Sequence, residues 1–194
     1  MLQLVDNQGQ TIGLVEKIPA HEEGGVLHRA VSVVLLDCDG RILIQRRAAA
    51  KYHFAGKWAN ASCTHPHFEE TPEDAGKRAL RQELGIETEL QEVTRFIYLA
   101  HDPASGYTEQ EYDHVLLGFW SHDVHPNPDE VSEVDRLTPQ EVHARITSSP
   151  GDFAYWFPQI LREVQQLEPK RLESFPELAQ FIQGMSPLES SPLA

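Results

Sequence analysis

Residues 60–86 read NASCTHPHFEETPEDAGKRALRQELGI. The second half carries the local signals of a helix over 71–84. Thr71 can cap it, Pro72 suits the first helical position, Glu73 and Asp74 place negative charge in the first turn, and Gly85 stops it. The first half sets Cys63 two residues from His65, just ahead of that helix. A helix N-terminus or a nearby cation favours a thiolate, so Cys63 is a candidate reactive group. Cys38 lies in the turn DCDG, flanked by two carboxylates that disfavour a thiolate, and reads as inert.

The bulk numbers narrow the classes of function. A chain of 194 residues suits one domain with an appendage. With 16 Lys and Arg against 30 Asp and Glu, the net charge of −14 argues against a grip on nucleic-acid phosphates or an anionic membrane. An anionic small molecule is still allowed, because local basic residues or a bound cation invert the field of a pocket. Two distant cysteines make no disulfide framework. With no leader-like stretch and no long apolar run, the expectation is a cytoplasmic protein, monomeric or weakly dimeric.

Outward from residues 60–86, LQLVD and TIGLVEK flank the turn NQGQ and read as a hairpin. HRAVSVVLLD is a buried strand, RILIQRR an alternating one, AAAKYHFAGKW a loop and WANASC a short strand. TRFIYLAH and EQEYDHVLLGFW read as two further strands. TPQEVHARITS repeats the Thr-Pro helix start, DFAYWFPQILREVQQL and LESFPELAQFIQGM read as later helices, and SPLESSPLA as a frayed, flexible tail. Helices and strands mix without steady alternation, which predicts an α+β fold with sheets sandwiched between helices. The division expected is 1–166 for the functional domain and 167–194 for a C-terminal helix and tail.

Five residues form a candidate cation set. His21, His28 and His65, taken singly, read as surface or loop histidines, and Glu109 and Glu111, flanking Gln110 on a strand, share one face that on spacing alone reads as solvated. Together, three imidazoles and two carboxylates suit a divalent ion in a roughly octahedral site. Spacing permits their meeting without requiring it.

From Thr64 the chain follows T-x5-E-x7-R-A-L-x-Q-E-x-G-I, which resembles the Nudix box G-x5-E-x7-R-E-U-x-E-E-x-G-U, with U a bulky aliphatic. Glu70, Arg78, Leu80, Glu83, Gly85 and Ile86 keep the pattern, whereas Thr64, Ala79 and Gln82 break it. In Nudix enzymes the helix glutamates hold divalent cations on a diphosphate, and two of them are missing here. That combination resembles the type I isopentenyl-diphosphate isomerases, a Nudix-fold family with a degraded box. AHEEGGVLHRAVS is similar to that family's first two metal histidines, seven residues apart, and ILIQRRAAAKYHFAGKWANASCTHP to its basic strand end, W-x-N and C-x-H-P. TEQEYDHV is similar to its Glu-x-Glu strand, and the likeness runs from Val5 to Val164.

The resemblance implies a Nudix-type α+β fold and interconversion of isopentenyl and dimethylallyl diphosphates through a tertiary carbocation. It implies that His21, His28, His65, Glu109 and Glu111 hold one divalent ion (Mn2+, Mg2+ or Zn2+). Glu83 would hold Mg2+ on the diphosphate. Cys63 would exchange a proton on one face of the isoprene unit, and Glu111, helped by Tyr98, on the other. Trp156 would shield the cation, and Lys17, Arg47 and Lys51 would meet the diphosphate. Without the resemblance, Tyr98 and Trp156 read as core, and Arg47 and Lys51 as a solvated loop. One departure stands out: Ala79 occupies a position where the family places a basic residue, and Arg78 or Arg81 are the candidates to replace it. His67 reads as a loop histidine. Two other functions compete, a Nudix hydrolase of a nucleoside or prenyl diphosphate and a non-catalytic metal-stabilised module. Only the isomerase needs the thiol.

Overall fold

A computed structural model describes residues 1–188. Among these described residues, nine strands join in one mixed sheet with helices on both faces. The expected hairpin forms from β1 (Leu2–Val5) and β2 (Thr11–Val15). The long apolar run is β3 (His28–Leu36), which pairs in parallel with β8 (Thr108–Phe119) along its whole length. β7 (Leu90–His101) lies antiparallel on the far side of β8.

The other edge of β3 is shared among three partners. β1 meets it at His28, β6 (Ser62–Thr64) at Val31–Val33, and β4 (Ile42–Arg47) only at Leu36. Beyond that single contact β3 and β4 diverge. The short β5 (Trp58–Ala59) follows β4 and β6 follows β3, so the sheet splits between them. β9 (Val131–Leu137) pairs with β4 and has no counterpart in the sequence reading. Ser132, Glu133 and Arg136 are exposed, and this polar composition hid the strand.

Alternation along β3 and β8 sends side chains to two cores. Val31, Val33, Leu35 and Leu116 pack under helix α1 (Pro72–Leu84). Val34, Leu36, Val115 and Leu117 pack with Phe157, Ile160 and Leu161 of α3 (Trp156–Gln165). Helix α1 begins and ends as its sequence requires: the Thr71 side chain accepts from the Asp74 N–H, and Gly85 adopts φ 67° at the C-terminus. Helix α2 (Pro139–Ser148) starts with a full capping box between Thr138 and Glu141.

The C-terminal helices are shorter than their sequences suggested. Residues 153–155 are irregular, with Phe153 bridging to Trp58, so α3 starts at Trp156. Residues 172–185 do not form one helix: α4 (Pro169–Leu172) and α5 (Pro176–Gln183) are interrupted ahead of Pro176. Phe175, Leu178 and Phe181 enter the same core as α3. Residues 189–194, most of the tail expected to be flexible, lie outside the described residues.

Candidate active site

The split between β3 and β4 opens into a cavity of about 550 Å³. Register brings the candidate cation set to its wall. His28 pairs with Glu111 across β3 and β8, and Glu111 pairs with Tyr98 across β8 and β7. His21 enters from a 3-10 turn (Pro19–His21) and His65 from the end of β6. One ligand atom from each of His21, His28, His65, Glu109 and Glu111 falls within 4.8 Å of all the others.

The hydrogen bonds at this cluster specify a cation. The Nδ1–H of His21 donates to the Lys17 carbonyl at 2.6 Å, and that of His28 to the Val26 carbonyl at 2.8 Å. Committing Nδ1–H to a carbonyl leaves Nε2 aimed inward, a donor to the glutamates when protonated and a lone pair for a cation when neutral. His28 Nε2 then sits 3.1 Å from His65 Nε2. Glu109 Oε2 lies 2.9 Å from His21 Nε2 yet accepts no aligned hydrogen bond, although it is buried. Burial opposes charge on both glutamates, but His21 and His53 hold Glu109 well below the usual carboxylate range, and His28 and His65 hold Glu111 below it. Converging ring nitrogens with two carboxylates among them fit a divalent ion bound by nitrogen and oxygen.

Around Cys63 the structure departs from expectation. Burial and then the Asp113 carboxyl push the thiol up to about 12, so Cys63 is a neutral thiol. The physical reason is its setting: it sits on β6 in the cavity wall, and its neighbours are hydrogen-bonding groups. Its S–H donates to Asn60 Oδ1 at 3.2 Å, and Trp156 Nε1–H donates to the same oxygen at 3.2 Å. The Asn60 amide donates to the Val33 and Ser62 carbonyls, which fixes it. Thus Asn60 ties the thiol to the tryptophan, and Trp156 is both core and cavity wall. Across the cavity, Tyr98 O–H donates to Glu111 Oε2 at 2.5 Å.

The basic end holds Lys17, Arg47 and Lys51 together. Burial, and then the neighbouring Lys51 charge, lower the Lys17 pKa. Arg47 is buried, stands over the Trp156 ring at 5.2 Å, and has a buried Nε with no partner. Lys51 pairs with Glu130. Crowded cations with an unused donor are complementary to a polyanion. Glu83 reaches the same cavity from α1. Gln45 and Ser62 both donate to its Oε2 at 3.0 Å, and burial raises its pKa.

Neither candidate replaces the missing base at position 79. Arg78 donates to Glu70 at 2.8 Å and to the His65 carbonyl at 3.1 Å, and Arg81 pairs with Glu87 at 2.9 Å on the surface. Ala79 itself is buried under the sheet.

Three residues escaped the sequence reading. His53 is buried against Glu109, although KYHFAGKW read only as a loop. Asp113 continues the period-two series of Glu109 and Glu111 on the same face, a signal that alternation carried. It is buried, its Oδ2 accepts from Ser32 at 2.7 Å, and burial and the Glu111 charge raise its pKa well above the ordinary value. Ser32 in turn lies 3.6 Å from Cys63 Sγ.

Comparison with known proteins follows the same lines. The NUDIX domain family matches residues 26–157. The chain is 43% identical over 162 residues to the isopentenyl-diphosphate Delta-isomerase of Streptomyces griseus, covering 83% of this chain and 81% of that one. It is 39% identical over 161 residues to the enzyme of that name from Halorhodospira halophila, covering 82% and 92%. Among solved structures, DR0079 of Deinococcus radiodurans matches with a TM-score of 0.62 at 25% identity, over 79% of this chain and 91% of that one. The chain belongs to the isopentenyl-diphosphate Delta-isomerases of the Nudix family.

Proposed function

We propose that the chain interconverts isopentenyl and dimethylallyl diphosphates by protonation and deprotonation at carbon. One observation carries the reading. A single cavity holds a neutral thiol, an ionised carboxylate and an indole, next to a basic end suited to a diphosphate.

The roles follow from the chemistry. An isomerising pair needs one group loaded with a proton and one empty, and Cys63 and Glu111 are such a pair. Cys63 Sγ gives its proton to an alkene carbon, a C–H bond forms as the S–H bond breaks, and positive charge appears at the tertiary carbon. Glu111 takes a proton from the neighbouring carbon on the opposite face, and those electrons form the new double bond. The thiolate and protonated Glu111 left behind are the empty and loaded pair for the reverse reaction. A thiol held protonated is a reluctant acid, so stabilisation of the carbocation is essential. Trp156 presents a ring face that attracts positive charge without being a nucleophile. Tyr98 orients Glu111 through its hydrogen bond. Lys17, Arg47 and Lys51 hold the diphosphate, and burial keeps water from the cation.

The His21, His28, His65, Glu109 and Glu111 set would hold a divalent ion, Mn2+, Mg2+ or Zn2+, and Glu83 would hold Mg2+ at the diphosphate end. When bound, these ions supply positive charge that keeps the carboxylates ionised and neutralises the diphosphate. Hydrolysis is disfavoured at this site, because Ala79 and Gln82 stand where the box carries carboxylates. The setting proposed is the cytoplasm.

The test is incubation with isopentenyl diphosphate and Mg2+ in deuterated water, followed by NMR. The expected product is dimethylallyl diphosphate carrying deuterium. Release of phosphate or a monophosphate would overturn the isomerase reading in favour of hydrolysis.

A further inference from the structure

His53 is a fourth imidazole at the cluster, and its bonding differs from the other three. It contacts Glu109 Oε1 through Nε2, while Glu109 Oε2 faces His21 and His28. On its other side, Arg47 Nη2 donates to the His53 carbonyl at 3.1 Å and approaches Nδ1 at 3.5 Å. An arginine can only donate, so Nδ1 is the acceptor and the proton sits on Nε2, where it donates to Glu109. A continuous path thus runs from Arg47 through His53 to Glu109.

The backbone is built to hold that path. Phe54, next in the chain, is a non-glycine residue at φ 45°. Its N–H donates to the buried Asp102 Oδ2 at 2.8 Å, and Asp102 is braced by Ser105 and the Ala104 N–H. A left-handed conformation costs a side-chain-bearing residue about 1–2 kcal/mol and persists where the surroundings impose it. The ring itself is clamped, with Tyr52 at 4.0 Å and Trp156 at 6.0 Å between centroids.

We propose that His53 is a positioning residue that makes Glu109 a one-oxygen ligand and couples the cation site to the anion-binding Arg47. It rests on the cation site described above but not on isomerisation. Locking Oε1 leaves Oε2 alone for an ion. Because Arg47 is held by the same imidazole and carbonyl, an anion that draws Arg47 also adjusts His53. Coupling of two ligands is reciprocal, so a cation must strengthen anion binding by the factor that the anion strengthens cation binding.

The experiment reads binding without turnover, with Mn2+ titrated by electron paramagnetic resonance and inorganic pyrophosphate by calorimetry. The variants are His53→Phe, which keeps the ring, and His53→Gln, which restores an N–H donor. Mn2+ affinity is expected to fall about 10–100-fold in His53→Phe, as outer-shell partners of metal ligands do, and to recover in part in His53→Gln. Mn2+ is expected to tighten pyrophosphate in the wild type and not in His53→Phe. Should both variants misfold, Asp102→Asn decides: it touches no ligand, yet it must weaken Mn2+. Wild-type Mn2+ affinity in His53→Phe, or in Asp102→Asn when the others misfold, overturns the role. A wild-type chain that binds no Mn2+ would instead break the cation site itself.

Discussion

Strand β8 is buried almost throughout, yet its first half carries Glu109, Glu111 and Asp113 while its second carries Val115, Leu116 and Leu117. Both halves pair with β3 and β7 in regular register, apart from a bulge near Val93. What differs is the partner each side chain finds. Val115 and Leu117 meet other apolar groups, and their burial stabilises the fold by about 1.5–3 kcal/mol each. Buried carboxylates each cost several kcal/mol unless paired and hydrogen-bonded. Each of the three here has such partners, His53 for Glu109, His65 and Tyr98 for Glu111 and Ser32 for Asp113, so this half of the strand depends on a polar network where the other depends on apolar packing. Burial alone does not distinguish the halves.

Exchanging single residues between these chemistries should separate activity from stability. Glu111→Gln keeps the shape and removes a charge. It is expected to lower turnover by about 10²–10⁴-fold, the span of general acid–base catalysis, with little change in the thermal midpoint measured in chelator, where neither protein holds an ion. Cys63→Ser should behave the same way. Leu116→Ala, fully buried in the other half, should cost about 2–5 kcal/mol of stability while the folded fraction turns over normally. Kinetics and denaturant unfolding on the three variants would check this. A Glu111→Gln protein that is unstable but active would invert the comparison.

Removing the ion is the next largest effect. A ligand at about a hundred times its Kd stabilises the native state by about 2.7 kcal/mol. Its ligands come from the turn before β3, from β3, β6 and β8, so the ion ties these segments together. Chelation should therefore lower the urea midpoint of the wild type and leave Glu109→Gln nearly unmoved. Equal midpoints with chelator and with Mn2+ would exclude a stabilising ion at the cluster.

The apolar half of β8 was legible in sequence because alternation and β-branched runs report directly on a core. The same holds for α1, whose Thr71, Pro72 and Gly85 act locally. The proposed cation ligands needed more, since His28 and Glu111 are distant in sequence and the parallel β3–β8 register brings them side by side. Resemblance supplied that pairing. His53 remained hidden because its meaning depends on a left-handed Phe54 and on Asp102, and no periodicity encodes either. The features in the sequence that favour a Cys63 thiolate are outweighed for a related reason: desolvation dominates where it sits, and burial of one short strand residue is not written in its neighbours.

The loop between His21 and His28 offers a finer test. Gly24 and Gly25 both have positive φ, 92° and 76°. A methyl group on Gly24 would meet nothing within 4 Å, whereas one on Gly25 would lie 2.8 Å from the Thr108 carbonyl oxygen, next to Glu109. Either alanine strains the backbone by about 1–2 kcal/mol. Only Gly25→Ala should also push the loop from β8 and weaken Mn2+ binding, which titration of the two variants would show. Equal Mn2+ affinity in both would mean that the loop absorbs the displacement.

The smallest effect concerns the box residues that the chain keeps. Glu70 accepts two hydrogen bonds from Arg78, at 2.8 and 2.9 Å, and Arg78 also holds the His65 carbonyl. The Arg78 hydrogen bonds hold the Glu70 carboxyl below the usual range. A depressed folded-state pKa contributes stability at pH above the unfolded carboxylate value, about 4.3, and loses it as pH falls through the folded value. Glu70→Gln should therefore cost about 1 kcal/mol or less near neutrality, and nothing once the wild-type carboxyl is protonated. Urea unfolding of both proteins across that range checks the convergence, and a constant gap down to low pH would place the effect in packing rather than charge. The pair fixes the β6–α1 turn that presents His65 to the cluster. Glu70 and Arg78 thus have a structural task on this turn, one that does not depend on the box carboxylates absent at Ala79 and Gln82.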